Sequence, residues 1–129
     1  MFWGCHNQNV DPRIDLDAAA AELSERLGRR ADLSVGPLTW KDMHAAYDAP
    51  FPTDRSEIDI PYSVGVHVSR GVEEGSLVLY AGGWADLEYW SGSAADDPIL
   101  RVPGYGDWLD VPRFAAVVDE FLDFFQHSG

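Results

Sequence analysis

Apolar residues recur with helical spacing near both ends of this chain. Residues 15–29 carry alanines and leucines at positions 19, 20, 23 and 27, and Asp15 or Asp17 can cap the first turn. Near the other end, Asp110 precedes a Val-Pro pair that suits a helix start, and valines and phenylalanines form an apolar stripe up to Phe125. The pattern predicts one amphipathic helix at each end.

Between these helices the apolar period shortens to two residues, which is typical of strands. Residues 62–69 alternate, residues 76–81 are mostly apolar, and residues 84–90 alternate again. Gly82-Gly83 predicts a two-residue hairpin turn, because glycine tolerates the positive φ angles that such turns require. The remaining predictions are an interrupted edge strand at 33–40, a helical turn at 41–47, turns at 70–75 and 91–97, and a strand at 99–102.

This order of elements predicts an α+β fold. An antiparallel β-meander of three to four strands would bury one face against the N-terminal and C-terminal helices. The opposite face would stay uncovered, and a register shift of one residue would exchange the two faces. The side chains expected on the uncovered face are Ser63, His67, Ser69, Val78, Tyr80, Trp84, Asp86, Glu88 and Trp90.

The length of 129 residues fits one domain with one hydrophobic core. Residues 1–12 are predicted to form a loose leader. Residues 48–61 combine prolines with acidic residues and are predicted to form a long surface loop. Loops of this length are often functional, so Asp54 and Glu57 are candidates for partner contacts.

The chain is strongly acidic, with 22 acidic and 9 basic residues and a formal net charge of -13. Nucleic-acid binding rests on Lys and Arg that neutralise phosphates, so this charge argues against it. Anionic membrane surfaces are disfavoured for the same reason. The charge favours a basic protein partner, or it only keeps the protein soluble.

A single cysteine, Cys5, excludes an internal disulfide and suits a reducing compartment. The first residues lack the basic start and long apolar run of a signal peptide. No stretch approaches the roughly 20 apolar residues of a membrane-spanning helix. We therefore expect a cytoplasmic protein that does not enter a membrane.

Catalytic and metal-binding patterns are weak in this sequence. The histidines are scattered at positions 6, 44, 67 and 127, without the spacing of a zinc site. Asp86 and Glu88 would share one strand face, as a glycosidase pair could, but carboxylates in this arrangement are usually only solvated. We expect no enzyme activity, no metal and no cofactor.

The second half carries a short signature. One strand reads Val64-Gly65-Val66-His67-Val68, and the next segments read Gly75-Ser76-Leu77-Val78-Leu79-Tyr80 and Ala85-Asp86-Leu87-Glu88, before an aromatic-rich helix. In this order, and most closely in its Asp-Leu-Glu triplet, the segment 62–125 resembles the TriTu-like bacterial immunity proteins. That family neutralises toxins of the ADP-ribosyltransferase type. The turn at Gly82-Gly83 departs from the family's usual turn, which leaves the particular toxin open.

The resemblance implies an immunity protein that binds and inhibits a cognate toxin domain. Such domains are often basic, which suits an acidic inhibitor. Tryptophans would anchor the partner and carboxylates would pair with its basic groups. The expected contact residues are Trp84, Asp86, Glu88 and Trp90, with His67 and Tyr80 beside them and Asp54 and Glu57 in a second contact. The alternatives are a small hydrolase that uses Asp86 and Glu88, or an acidic adaptor protein.

Overall fold

Two α-helices lie before and after the sheet in the chain, as predicted. They are seen in a computed structural model that describes residues 12–46 and 48–126. Helix α1 spans Leu16–Gly28 and helix α2 spans Val111–Asp123, followed by a 3-10 turn at Phe124–Gln126. Asp15 caps α1 by accepting a hydrogen bond from the Ala18 N–H at 3.0 Å. The predicted leader, apart from Pro12, lies outside the described residues.

The sheet is antiparallel and has six strands. They are β1 (Ser34–Val35), β2 (Thr39–Asp42), β3 (Pro61–Arg70), β4 (Glu73–Tyr80), β5 (Trp84–Trp90) and β6 (Ile99–Arg101). Strands β3 to β6 follow one another as a meander, while β1 and β2 both pair with the outer edge of β3. The α+β class is therefore confirmed, but the sheet has more strands than the three to four predicted.

The additional strands come from residues 33–42. The predicted edge strand is split into β1 and β2 on either side of Pro37, which has no N–H to donate to β3. The helical turn predicted at 41–47 is wrong, because Lys41 and Asp42 continue β2 beyond the buried Trp40. Tyr47, within that segment, lies outside the described residues.

The two long hairpins differ from the sequence prediction in opposite ways, one loop being shorter and the other longer. Between β3 and β4, Arg70 pairs with Glu73, so the predicted turn at 70–75 shrinks to two residues. Between β4 and β5 the hairpin is confirmed, but three residues connect the strands, and Gly83 has a φ of 92°. The Leu109 N–H donates to the Gly83 carbonyl at 2.7 Å, which ties this loop to the segment before α2.

The core lies between one face of the sheet and both helices. Val64, Leu79 and Ala85 form one buried row across β3, β4 and β5, and Val66, Leu77 and Leu87 form the next. The largest buried helical side chains that cover these rows are Leu23, Phe114 and Phe121, with Phe125 from the 3-10 turn. The apolar core therefore lies on the face of the sheet that the helices cover, although Ser63 is buried on the opposite face.

Within residues 12–46 and 48–126, no helix combines the length and the apolar character needed to cross a membrane. Each of the two α-helices has 13 residues.

The sheet face opposite both helices is called here the outer face. The register places Tyr80 beside Trp84, Val78 beside Asp86 and Ser76 beside Glu88. The nine side chains that the period-two pattern predicted lie on this face, and Glu74 and Ser76 of β4, which were not predicted there, share it. The nine are Ser63, His67, Ser69, Val78, Tyr80, Trp84, Asp86, Glu88 and Trp90. Neither described helix packs on it.

Candidate functional site

One end of the outer face is aromatic. The rings of Tyr80 and Trp84 stack with centroids 4.2 Å apart and planes 23° apart. Tyr105 meets Trp84 edge to face at 6.1 Å, and Tyr62 meets Tyr80 edge to face at 5.7 Å. These four residues form what we call the aromatic cluster. Tyr105 is 73% exposed, while the other three rings are half-buried.

Asp86 adjoins this cluster through a hydrogen bond. The Tyr80 hydroxyl donates to Asp86 Oδ2 at 3.0 Å. Burial of the phenol, followed by its bond to the Asp86 carboxylate, raises the pKa of Tyr80 above its ordinary value. The Tyr80 hydroxyl is the donor of this bond and orients Asp86.

A bulge brings Tyr62 into the aromatic cluster. On β2, Lys41 faces Ser63 while Asp42 faces Pro61, so Tyr62 has no partner on that strand. Simple alternation assigned Tyr62 to the core side with Val64, and the bulge is what turns its ring towards Tyr80. The Lys41 ammonium lies 5.8 Å from the Tyr62 ring centroid and 5.7 Å from that of Phe51.

Sequence reasoning missed four residues at this end of the sheet: Lys41, Phe51, Tyr62 and Tyr105. Tyr105 comes from the irregular segment between β6 and α2, and its position depends on contacts distant in sequence. A Cβ atom on Gly104 would lie 2.6 Å from the Gly83 carbonyl, so Gly104 permits this segment to pack on the β4–β5 loop. The proline and glycine residues around Tyr105 indicated a turn, but not where the ring would lie.

The other end of the outer face holds a shallow hollow of about 270 Å³. Its lining residues are His67, Glu74, Gly75, Ser76, Glu88, Tyr89, Trp90 and Pro98. His67 Nε2 lies 3.3 Å from Glu74 Oε1, and both side chains are exposed. Glu88 is exposed and lies 3.5 Å from the Ser76 hydroxyl. We call this feature the acidic hollow.

Trp90 is half-buried at the edge of the acidic hollow. Its indole N–H donates to the backbone carbonyls of Ser93 and Asp96, at 3.1 and 3.3 Å. The turn between β5 and β6 thus holds the indole in place. Because the N–H is already engaged, the ring surface is what Trp90 offers to a partner.

Apart from Lys41 beside the aromatic cluster, the positive charge of the described residues is held in pairs or against other parts of the molecule. Seven of the eight arginines pair with carboxylates: Arg26 with Glu22 and Asp119, Arg29 with Glu25, Arg30 and Arg70 with Asp32, Arg55 with Asp17, Arg101 with Glu120 and Arg113 with Asp107. The eighth, Arg13, lies over the Trp108 ring at 4.6 Å. Among the described residues, neither Asp86 nor Glu88 forms an ion pair with Arg or Lys.

The structure does not bring Asp54 and Glu57 onto the outer face. Asp54 caps a 3-10 turn at Arg55–Glu57 by accepting hydrogen bonds from the Ser56 N–H and hydroxyl at 2.9 and 2.7 Å. Arg55 anchors the turn to Asp17 of helix α1. Both acids are exposed, on the helical side of the molecule.

The chemistry available on the outer face is that of contact rather than of a closed pocket. Asp86 and Glu88 share a face as predicted, but Glu88 lines the acidic hollow while Asp86 bonds to Tyr80 outside that lining. Within the described ranges, no three His, Cys, Asp or Glu residues group in a way that could hold a metal ion. Cys5, His6 and His127 lie outside those ranges.

Comparison of the chain with protein-family profiles, with curated proteins and with solved structures gave no match.

Proposed function

We propose that this chain is an immunity protein that binds a cognate bacterial toxin domain through the outer face and blocks its activity. The observation that carries the proposal is the composition of that face. Stacked aromatic rings adjoin carboxylates that have no Arg or Lys partner in the described structure, while the arginines are paired elsewhere.

The aromatic cluster supplies the anchoring part of such a surface. Tyrosine and tryptophan bury a large area at a small cost in side-chain entropy and dominate interface hot spots. Trp84 stacks on Tyr80 and meets Tyr105 edge to face, so little ordering is required when a partner docks. A preorganised aromatic surface of this kind is suited to tight binding.

The carboxylates supply the selectivity. Asp86 and Glu88 project from the same face of β5. Asp86 lies beside the aromatic cluster, and Glu88 lines the acidic hollow. These carboxylates attract the basic surface of the partner and raise the association rate. The net charge of -13 of the whole chain acts in the same direction. The partner is therefore a basic toxin domain, and the inhibitor meets it in the cytoplasm.

The direct test is co-expression with a toxin domain taken from a toxin-like gene next to the one that encodes this chain. The wild-type chain should restore growth, whereas Trp84→Ala and the double variant Asp86→Asn/Glu88→Gln should lose most of that protection. The matched control is Glu25→Gln/Glu120→Gln, which removes the same charge from the two helices. If the toxin stays lethal when the wild-type chain is abundant, the proposal is wrong.

Stoichiometry separates inhibition from catalysis. An inhibitor protects at one copy per toxin molecule and keeps weakened protection when a carboxylate is lost. Protection by trace amounts of the chain, abolished by Asp86→Asn alone, would indicate the hydrolase instead.

A further inference from the structure

We propose that the acidic hollow receives an arginine side chain of the partner protein. This inference rests on the proposed function, since the partner is the toxin domain, and it specifies which group of that partner the face recognises. Its elements are two carboxylates, one fixed indole and a volume that suits a single side chain.

The two carboxylates come from neighbouring strands. Glu74 lies on β4 and Glu88 on β5, and both are exposed residues that line the hollow. In the described structure Glu74 contacts the His67 imidazole, at 3.3 Å, and Glu88 has only the Ser76 hydroxyl, at 3.5 Å. A guanidinium group can donate to carboxylates through five N–H bonds in a planar fork, so it can serve both.

Trp90 supplies the apolar wall. Its N–H is held by two backbone carbonyls, so the indole does not need to be ordered when a ligand enters. Arginine stacks on aromatic rings more readily than lysine and is more weakly hydrated, which lowers the cost of its burial. Leu100, opposite Glu88 on β6 and 66% exposed, extends the apolar rim next to the hollow.

The open shape of the hollow favours a side chain delivered by another protein over a free metabolite. Small-molecule pockets bury most of their ligand, whereas this hollow of about 270 Å³ lies on an open face of the sheet. The surrounding face is a pleated sheet rather than a cleft. The occupant that fits is thus a cationic side chain delivered by a protein that docks on the outer face.

The test uses the full chain and amino-acid analogues in place of the partner. N-acetyl-arginine amide is titrated while the indole N–H resonance of Trp90 is followed by NMR. N-acetyl-lysine amide and the neutral isostere N-acetyl-citrulline amide serve as ligand controls. We expect a saturable shift with the arginine analogue, a weaker one with lysine and none with citrulline.

Variants of the two carboxylates show which of them binds the arginine analogue. Glu88→Gln and, separately, Glu74→Gln should weaken the binding of the arginine analogue by about tenfold, because each removes one charged acceptor. Glu25→Gln, which removes a carboxylate from α1, should leave it unchanged. Equal shifts with arginine and citrulline, or arginine binding that survives both hollow variants, would overturn the inference.

The two proposals fail differently. If the toxin domain binds the chain and Trp84→Ala disrupts the complex, but Glu88→Gln and Glu74→Gln leave its affinity unchanged, the arginine inference fails and the immunity function stands. If no toxin is bound while the arginine analogue still titrates the Trp90 resonance, the hollow is a guanidinium site and the immunity function fails.

Discussion

Tyr80 and Asp86 are joined across β4 and β5 by a hydrogen bond of 3.0 Å from the phenol to the carboxylate, while the Tyr80 ring stacks on Trp84. One tyrosine therefore positions both an anchor ring and a charged group of the outer face. Because the three side chains are linked, the aromatic and acidic parts of the surface form a single unit, and this linkage can be measured.

Replacing Tyr80 by phenylalanine removes the hydrogen bond and keeps the ring. We expect Tyr80→Phe to lower the free energy of unfolding by about 0.5–1.5 kcal/mol in urea denaturation. The control is Tyr105→Phe, since the exposed Tyr105 hydroxyl makes no hydrogen bond within the described structure, and its change should stay within about 0.5 kcal/mol. In a double-mutant cycle with Asp86→Ala, a coupling energy of zero would contradict the linkage.

A second tyrosine–carboxylate pair lies on the core side of the sheet. The Tyr89 hydroxyl donates to Glu73 Oε2 at 2.6 Å, and both residues are buried. We expect Tyr89→Phe to cost about 1–3 kcal/mol at neutral pH, because the Glu73 carboxylate loses its donor in a buried position. Urea denaturation of the variant and of the wild type measures this difference.

The same pair makes stability depend on alkaline pH. Burial, followed by the bond to the Glu73 carboxylate, raises the pKa of Tyr89 to about 12, against about 10 in the unfolded chain. The folded state holds the proton more tightly, so this contribution is complete below about pH 10 and is lost as the pH rises to about 12. The free energy of unfolding should fall more steeply in that window for the wild type than for Tyr89→Phe. Parallel curves would contradict the assignment.

Gly75 permits the close approach of the C-terminal aromatic residues to the sheet. A Cβ atom at this position would lie 2.8 Å from the Phe121 ring and 2.9 Å from the Phe125 ring. We expect Gly75→Ala to destabilise the fold by about 1–3 kcal/mol, because the buried rings must shift. Gly28→Ala, at the end of α1 with no atom within 4 Å of the added methyl group, should be neutral or stabilising by up to about 1 kcal/mol. Thermal unfolding of the two variants compares the sites directly.

The period-two pattern predicted which side chains share the outer face, since alternation from Trp84 to Trp90 and a glycine hairpin determine the faces of adjacent strands together. The pattern failed where pairing with another strand interrupts the alternation of side chains. Tyr62 changes side at a bulge against β2, and the second half of β2, Lys41 and Asp42, was predicted as part of a helical turn. The local sequence pattern predicts neither the bulge at Tyr62 nor the extent of β2, because both depend on which distant strand becomes the neighbour.

The contact residues outside the sheet were harder to predict for a related reason. Asp54 and Glu57 were chosen because their loop is long and acidic, yet Arg55 fastens that loop to Asp17 on the helical side. The segment around Tyr105 has no apolar period and predicts no position for its ring, although the packing of Gly104 on Gly83 brings the ring beside Trp84. Loop positions follow from single long-range contacts, which composition does not reveal.

The distribution of charge leads to a last prediction, on the kinetics of toxin binding. Asp86 and Glu88 have no ion-pair partner among the described side chains, whereas Glu25 and Glu120 pair with Arg29 and Arg101. Charges on a binding face steer the diffusional encounter and make the association rate depend on salt. We expect the association rate with the toxin domain to fall as ionic strength rises, because the Debye length shortens from about 30 Å at 0.01 M to about 8 Å at 0.15 M.

In stopped-flow measurements, Asp86→Asn/Glu88→Gln should flatten this dependence, while Glu25→Gln/Glu120→Gln, with the same net charge, should keep most of it. Equal slopes for the two double variants would show that the total charge of the chain, and not the outer face, steers the encounter.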